Sequence, residues 1–113
     1  MTEQEMRFHH YTMWNRITDA IVNSEKVVDI VKMKEEYIKV SHCDLNTCNN
    51  CFMCEYAMAN TSIEDITTCS NCPSTLQFIH FRGCLSGLYY ICISTSEWKT
   101  QALISSLIRD SWR

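Results

Sequence analysis

The sequence predicts a small, helix-rich α+β protein in which terminal helices surround a small β-hairpin and a cysteine-rich loop. Apolar residues at helical spacing near both ends of the chain predict the helices. Two apolar segments, one before Gly83 and one after Gly87, predict the hairpin. Closely spaced cysteines between residues 43 and 84 predict the loop. A length of 113 residues corresponds to one domain, so we expect residues 1–113 to form a single domain.

The N-terminal helix is predicted to begin at a capping box, with Thr2 as the N-cap and Glu5 at the third helical position. An amphipathic helix of about five turns follows, because apolar and aromatic residues recur at steps of three and four. These residues are Met6, His10, Met13, Trp14, Ile17, Ala20 and Ile21. Residues 25–40 mix strand-favouring and helix-favouring side chains, and we expect them to form a second helix that ends near Lys39.

The second half of the chain supplies the predicted hairpin and the final helix. Residues 75–82 and 88–94 are rich in β-branched and aromatic side chains, which predicts two strands joined by a turn at residues 83–87. Ser94 and Glu97 form a further capping box, which is expected to open the last helix. Its predicted broad apolar face consists of Trp98, Ala102, Leu103, Leu107 and Ile108.

The cysteines carry the most specific chemical signal in the sequence. There are eight, and the N-terminus lacks the basic region and apolar core of a secretory signal, so we expect a protein of the cytoplasm. In that reducing compartment CxxC pairs bind metal more often than they form disulfides. Cys51/Cys54 and Cys69/Cys72 are separated by 14 residues, a spacing that suits one tetrahedral zinc ion. The loop is therefore predicted to be clipped by a structural four-cysteine zinc site.

The spacing leaves alternatives open. Cys48 and Cys51 would serve equally well as the first pair, and iron–sulfur clusters also take cysteine ligands. Cys43 and Cys48, with His42 or His80, would be the ligands of a second site.

Three short motifs resemble a group of small, uncharacterised bacteriophage proteins. The motifs are C-F-M-C-E-Y, C-S-N-C-P and G-C-L-S-G-L-Y, following a helix that contains Tyr-x-x-Trp. The matching positions are Tyr11, Trp14, Cys51, Cys54, Cys69, Cys72, Pro73, Gly83, Cys84, Gly87 and Tyr89. The resemblance implies a phage-encoded, zinc-binding accessory protein with no assigned activity. It favours Cys51 and Cys54 as the first pair and adds Cys84 as an alternative ligand, whereas Cys43, Cys48 and Cys92 depart from the pattern.

Composition and motifs also limit the classes of function. A closed all-cysteine zinc site leaves no position for a catalytic water, and no βαβ pattern accompanies a CxxC, so no enzyme activity is predicted. No apolar run approaches the roughly 20 residues that a membrane helix needs. The net charge of −3 provides no electrostatic attraction to nucleic acid.

The leading hypothesis is an accessory protein that binds and modulates a host protein in the host cytoplasm. Trp112 is expected to be exposed and to anchor the partner. The alternative is a small nucleic-acid-binding zinc module, and a thiol redox protein is a third hypothesis. The basic face of the nucleic-acid module would comprise Lys26, Lys32, Lys34, Lys39 and Tyr37. We expect a monomer, or a homodimer formed through the apolar helix at residues 98–108.

Overall fold

The computed structural model describes residues 1–43, Phe52 and residues 88–112. Within these residues the chain forms four α-helices and no strand. The helices are α1 (Glu3–Ser24), α2 (Ile30–Ser41), α3 (Leu88–Ser94) and α4 (Trp98–Asp110).

The predicted start of α1 is confirmed. The Thr2 hydroxyl accepts a hydrogen bond from the backbone N–H of Glu5 at 3.1 Å, which satisfies a donor that the helix itself leaves unpaired. The helix ends at Ser24, where Glu25 adopts a left-handed conformation (φ 52°) and donates its N–H to the carbonyl of Ile21. Its seven buried residues, which include His10, recur at helical spacing and face the interior.

A second helix is confirmed, but it begins at Ile30, whereas the prediction also included residues 25–29, and it extends two residues beyond the predicted end at Lys39. Asp29 is its N-cap, and the Asp29 carboxylate accepts from the N–H of Lys32 at 3.1 Å. Ile30, Lys34 and Tyr37 are its buried residues, and their spacing of four and three places them on one side of the helix.

The predicted hairpin, and with it the α+β class, is wrong because residues 88–94 form α3. Residues 75–82 and the turn at 83–87 lie outside the described residues. A short apolar run fits a strand or a buried helix equally well, and periodicity alone does not separate them. Here tertiary packing selects the helix, which buries Cys92 completely and turns Tyr90 towards solvent.

The final helix differs from its prediction at its start and in its buried face. Ser94 is the last residue of α3, and Glu97 occupies the N-cap of α4. The fully buried positions of α4 are Gln101, Ser105 and Ile108. In contrast, 59% of Leu103 and 43% of Leu107 is exposed, so the face that packs inward is partly polar.

Polar side chains connect the helices inside this core. The Gln101 amide accepts from the N–H of Val28 at 2.8 Å and donates to the carbonyls of Val28 and Cys92 at 3.1 and 3.0 Å. Gln101 thereby links α4 both to the α1–α2 connection and to α3. The Thr18 and Ser105 hydroxyls, 2.8 Å apart, join α1 to α4. Because every one of these buried groups has a partner, their desolvation is offset.

Candidate functional site

The predicted metal ligands fall largely outside the described residues. This holds for Cys51, Cys54, Cys69 and Cys72, and for the alternatives Cys48 and Cys84. Within the described ranges no three His, Cys, Asp or Glu side chains form a group suited to a metal ion. The structure does describe Phe52, which lies between the two cysteines of the first predicted pair.

Phe52 is completely buried between α1 and α2, with 0% of its surface exposed. Its ring stacks on the imidazole of His9, with centroids 5.3 Å apart and planes inclined by 18°. Tyr37 meets the same ring edge-on, at 6.1 Å and 86°. We call these three residues the Phe52 cage. Burial of a phenylalanine side chain contributes about 1.5–3 kcal/mol, so the cage holds the cysteine segment against both helices at this position.

A hydrogen bond joins the two residues that contact Phe52 in the cage. Nδ1 of His9 and the hydroxyl of Tyr37 lie 2.7 Å apart, which links α1 to α2 directly beside Phe52. The guanidinium of Arg16 lies over the Tyr37 ring at 5.3 Å. Burial and the neighbouring Cys43 raise the pKa of Tyr37, so its hydroxyl keeps its proton at neutral pH.

Cys43 and His42 are the predicted alternative ligands that the structure describes, and His42 is the C-cap of α2. Cys43 follows His42 and is half-buried, with its Sγ 3.2 Å from the hydroxyl of Ser41. That hydroxyl also lies 2.7 Å from the carbonyl oxygen of Tyr37. Cys43 therefore lies at the end of the helix that supplies one wall of the Phe52 cage.

The residues of the cysteine segment fit zinc chemically. Two CxxC pairs offer four soft thiolates, the ligand set of closed structural zinc sites. The structure adds that Phe52, the residue between Cys51 and Met53 in the first CxxC, is buried against His9 and Tyr37. A metal bound by these cysteines would be coupled to folding, because it would bind residues adjacent to Phe52 in the chain.

The environment of Cys92 is that of a buried core residue, not that of a metal-binding thiolate. It is fully buried in α3, with its Sγ 3.8 Å from the carbonyl oxygen of Gln101. Burial raises the pKa of its thiol to about 12. It therefore remains a neutral thiol in the core.

Sequence reasoning missed a buried lysine. Lys34 was predicted to belong to a solvated basic face, but only 2% of it is exposed, and Tyr37 is buried as well. The Lys34 ammonium lies 4.4 Å from the Tyr89 ring centroid and 5.9 Å from that of Trp14. Its Nζ is also 3.4 Å from the Tyr89 hydroxyl. The spacing of Ile30, Lys34 and Tyr37 was the signal that places Lys34 inside.

His10 is buried near that ammonium. Its Nε2 lies 2.8 Å from the carbonyl oxygen of Ile108 in α4, so Nε2 carries the proton and donates. Nδ1 has no hydrogen-bond partner among the described residues. Desolvation, and to a smaller extent the charge of Lys34, lower the pKa of His10 to about 4. His10 is therefore neutral at pH 7 and structural.

The expectation that Trp112 is exposed is wrong. Only 6% of it is exposed, and its ring meets His10 edge-on at a centroid distance of 5.7 Å. The guanidinium of Arg7 lies 5.5 Å from the ring centroid. The assignment of Trp112 as a partner anchor therefore loses the exposure on which it depended.

The comparisons with known proteins add no relative. No protein-family model matches the chain, and no curated protein or solved structure matches it. No described helix has the length and hydropathy to span a bilayer.

Proposed function

We propose that this protein is a zinc-stabilised accessory protein of the phage type, which binds and modulates a host protein in the host cytoplasm. The burial of Phe52 between His9 and Tyr37 is the observation that carries the zinc part of the proposal. A residue flanked by two candidate ligands is part of the core, which suits a metal that stabilises the fold.

The proposed ligands are Cys51, Cys54, Cys69 and Cys72, and the alternatives are Cys84, Cys48 and Cys43. Zinc binding to such a site contributes on the order of 10 kcal/mol to folding. That contribution is large beside the net stability of roughly 5–15 kcal/mol of a whole domain. The small helical core and the metal would therefore stabilise one another.

The described surface supports a protein partner. Apolar side chains are exposed on α2 and α4, with Val40 at 68%, Leu103 at 59% and Leu107 at 43%. The net charge of −3 opposes binding to a phosphate backbone. The alternative nucleic-acid module is not favoured, because Lys34 and Tyr37 of its basic face are buried.

The zinc part is tested by native mass spectrometry of the untagged protein, purified without chelator, together with an absorption spectrum. The expected result is one zinc ion per chain and no visible colour. A coloured protein that contains iron and sulfide would replace zinc with an iron–sulfur cluster. Metal-free protein with paired cysteines would overturn the zinc site and favour the redox hypothesis.

The partner part is tested by affinity capture from bacterial lysates on the zinc-loaded protein. One stoichiometric protein that also binds the purified chain in solution is the expected result. The matched control is the chelator-treated protein, which should lose that partner if the zinc-stabilised fold is what binds. Recovery of no stoichiometric protein, with gel shifts of DNA or RNA at low salt, would favour the nucleic-acid module instead.

A further inference from the structure

A cleft of about 190 Å³ opens between α1 and α2. Its inner lining is apolar and includes Met13 and Ile17 from α1 and Met33 from α2. Met13 and Ile17 are each 1% exposed, whereas Met33 is half-buried. The rims carry Arg16 on α1 and Glu36 on α2, both exposed.

The size of the cleft suits one side chain. Pockets that take drug-sized ligands are usually about 300–1,000 Å³. An apolar cavity of about 150 Å³ in another protein binds benzene. A cleft of about 190 Å³ lies between these sizes, so it accommodates one ring or one long aliphatic side chain. Its two methionines can adapt to either shape because their side chains are unbranched.

The cleft adjoins a position where the same two helices already hold an aromatic ring. Tyr37 lines the cleft and also meets the buried ring of Phe52 edge-on. Phe52 thus shows that α1 and α2 separate far enough to admit a ring between them.

The rims determine which partner would fit. The Arg16 guanidinium lies over the ring of Tyr37, so the cation of α1 reaches a residue of α2 that also lines the cleft. Glu36 places a carboxylate on the opposite helix, and neither residue forms an ion pair within the described ranges. The cleft therefore presents an apolar floor with one cation and one carboxylate among its exposed lining residues. Its complement is an apolar side chain with an acidic neighbour towards Arg16 and a basic neighbour towards Glu36.

We propose that this cleft is the anchor pocket for a partner polypeptide that inserts one long apolar side chain, Leu, Met or Phe, between an acidic and a basic residue. The proposal rests on the proposed function for the identity of the partner as a host protein. The pocket itself is defined by the described residues of α1 and α2, and a defined probe tests it without the host protein.

The probes are capped tripeptides, acetyl-Glu-X-Lys-amide and acetyl-Lys-X-Glu-amide, in which X is Leu, Met, Phe or Ala. They are titrated to about 10 mM, since one anchored side chain gives a Kd on the order of 1 mM. The readout is the methyl resonance of each methionine in the full-length, zinc-loaded protein. Met13 and Met33 should shift, and buried Met6, which does not line the cleft, should not. The Ala probes should bind at least fivefold more weakly, and one order of charges should bind better.

The decisive variant exchanges the rim charges, as Arg16→Glu with Glu36→Arg. It should reverse the preference between the two probe orders, which a loss of folding would not do. Lys32→Glu, an exposed substitution on α2 outside the cleft lining, should leave the preference unchanged.

Three results would each contradict the proposed anchor pocket. They are Met13 and Met33 resonances that do not shift, Ala probes that bind as tightly as the others, and a charge-exchange variant that keeps the wild-type preference between the two probe orders. Failure to capture a host protein would instead remove the proposed function, and binding of the probes would still stand.

Discussion

The ring of Phe52 stacks on the imidazole of His9, with centroids 5.3 Å apart and planes inclined by 18°. The two residues are far apart in sequence, and one of them stands between two candidate zinc ligands. Their contact links the cysteine segment to the first helix. Zinc bound by the neighbouring cysteines, as proposed, would therefore be linked to the stability of the helical core.

Truncation of the Phe52 ring should expose this link. Phe52→Ala is expected to lower the free energy of unfolding by about 3–5 kcal/mol, because it leaves a cavity in a fully buried site. It should also weaken zinc binding. Urea unfolding and zinc competition with a chromophoric chelator measure the two effects. Phe52→Leu gives a milder loss if the alanine variant does not fold.

Phe8→Ala is the matched control for this prediction. Phe8 is 63% exposed, so its truncation should change the free energy of unfolding by no more than about 0.5 kcal/mol. The prediction fails if Phe8→Ala and Phe52→Ala lower the free energy of unfolding equally. Unchanged zinc affinity in Phe52→Ala would show that the Phe52 cage does not affect the metal site.

Acid should destabilise the fold through His10. Its pKa is lowered from 6.5 to about 4 by burial, so the unfolded chain binds a proton that the folded chain excludes. The free energy of unfolding is therefore unaffected by protonation of His10 above pH 6.5. As the pH falls from 6.5 to 4, protonation of His10 in the unfolded chain lowers the free energy of unfolding by roughly 3 kcal/mol. Urea unfolding at a series of pH values measures it.

Thiolates bound to zinc would also take up protons in acid. The effect of His10 is therefore measured as the difference in free energy of unfolding between the wild type and His10→Gln. That difference should shrink as the pH falls below 6.5, because glutamine does not titrate. A His10→Gln profile parallel to that of the wild type would contradict the prediction.

Removal of the buried charge of Lys34 should raise the pKa of His10, since that charge opposes protonation of the imidazole. In Lys34→Met the side chain keeps most of its volume and loses its charge. The free energy of unfolding should stay the same or rise by about 1 kcal/mol, as is common when buried ions are replaced by apolar groups. NMR titration of the His10 ring measures the pKa. Lys39→Met, at an exposed position, should leave it unchanged.

Two cysteine variants should distinguish a ligand from a core residue. Cys51→Ser is expected to reduce bound zinc below one ion per chain, because it removes a proposed thiolate. Cys92→Ala should retain one zinc and lower the free energy of unfolding by about 1 kcal/mol, since Cys92 is a buried neutral thiol. Native mass spectrometry counts the metal. Zinc lost from Cys92→Ala and retained by Cys51→Ser would reverse the assignment.

Local chemistry was sufficient to predict α1 and α2. The Thr2 cap is confirmed because a capping hydrogen bond involves only residues three apart. The long repeat of apolar residues in α1 left no other periodicity available. The Phe52 cage was not predicted, since nothing local indicates that Phe52 would meet His9 and Tyr37.

Neighbouring residues alone were sufficient to predict that two N-terminal helices exist, and the cysteine spacing alone was sufficient for the zinc hypothesis. Tertiary structure decided that residues 88–94 form a helix, since their apolar side chains satisfy either conformation until Cys92 packs on α4. It also decided that Lys34 is buried and Leu103 is exposed. Burial depends on which helices meet, and aromatic faces can hold an ammonium that hydropathy alone assigns to solvent.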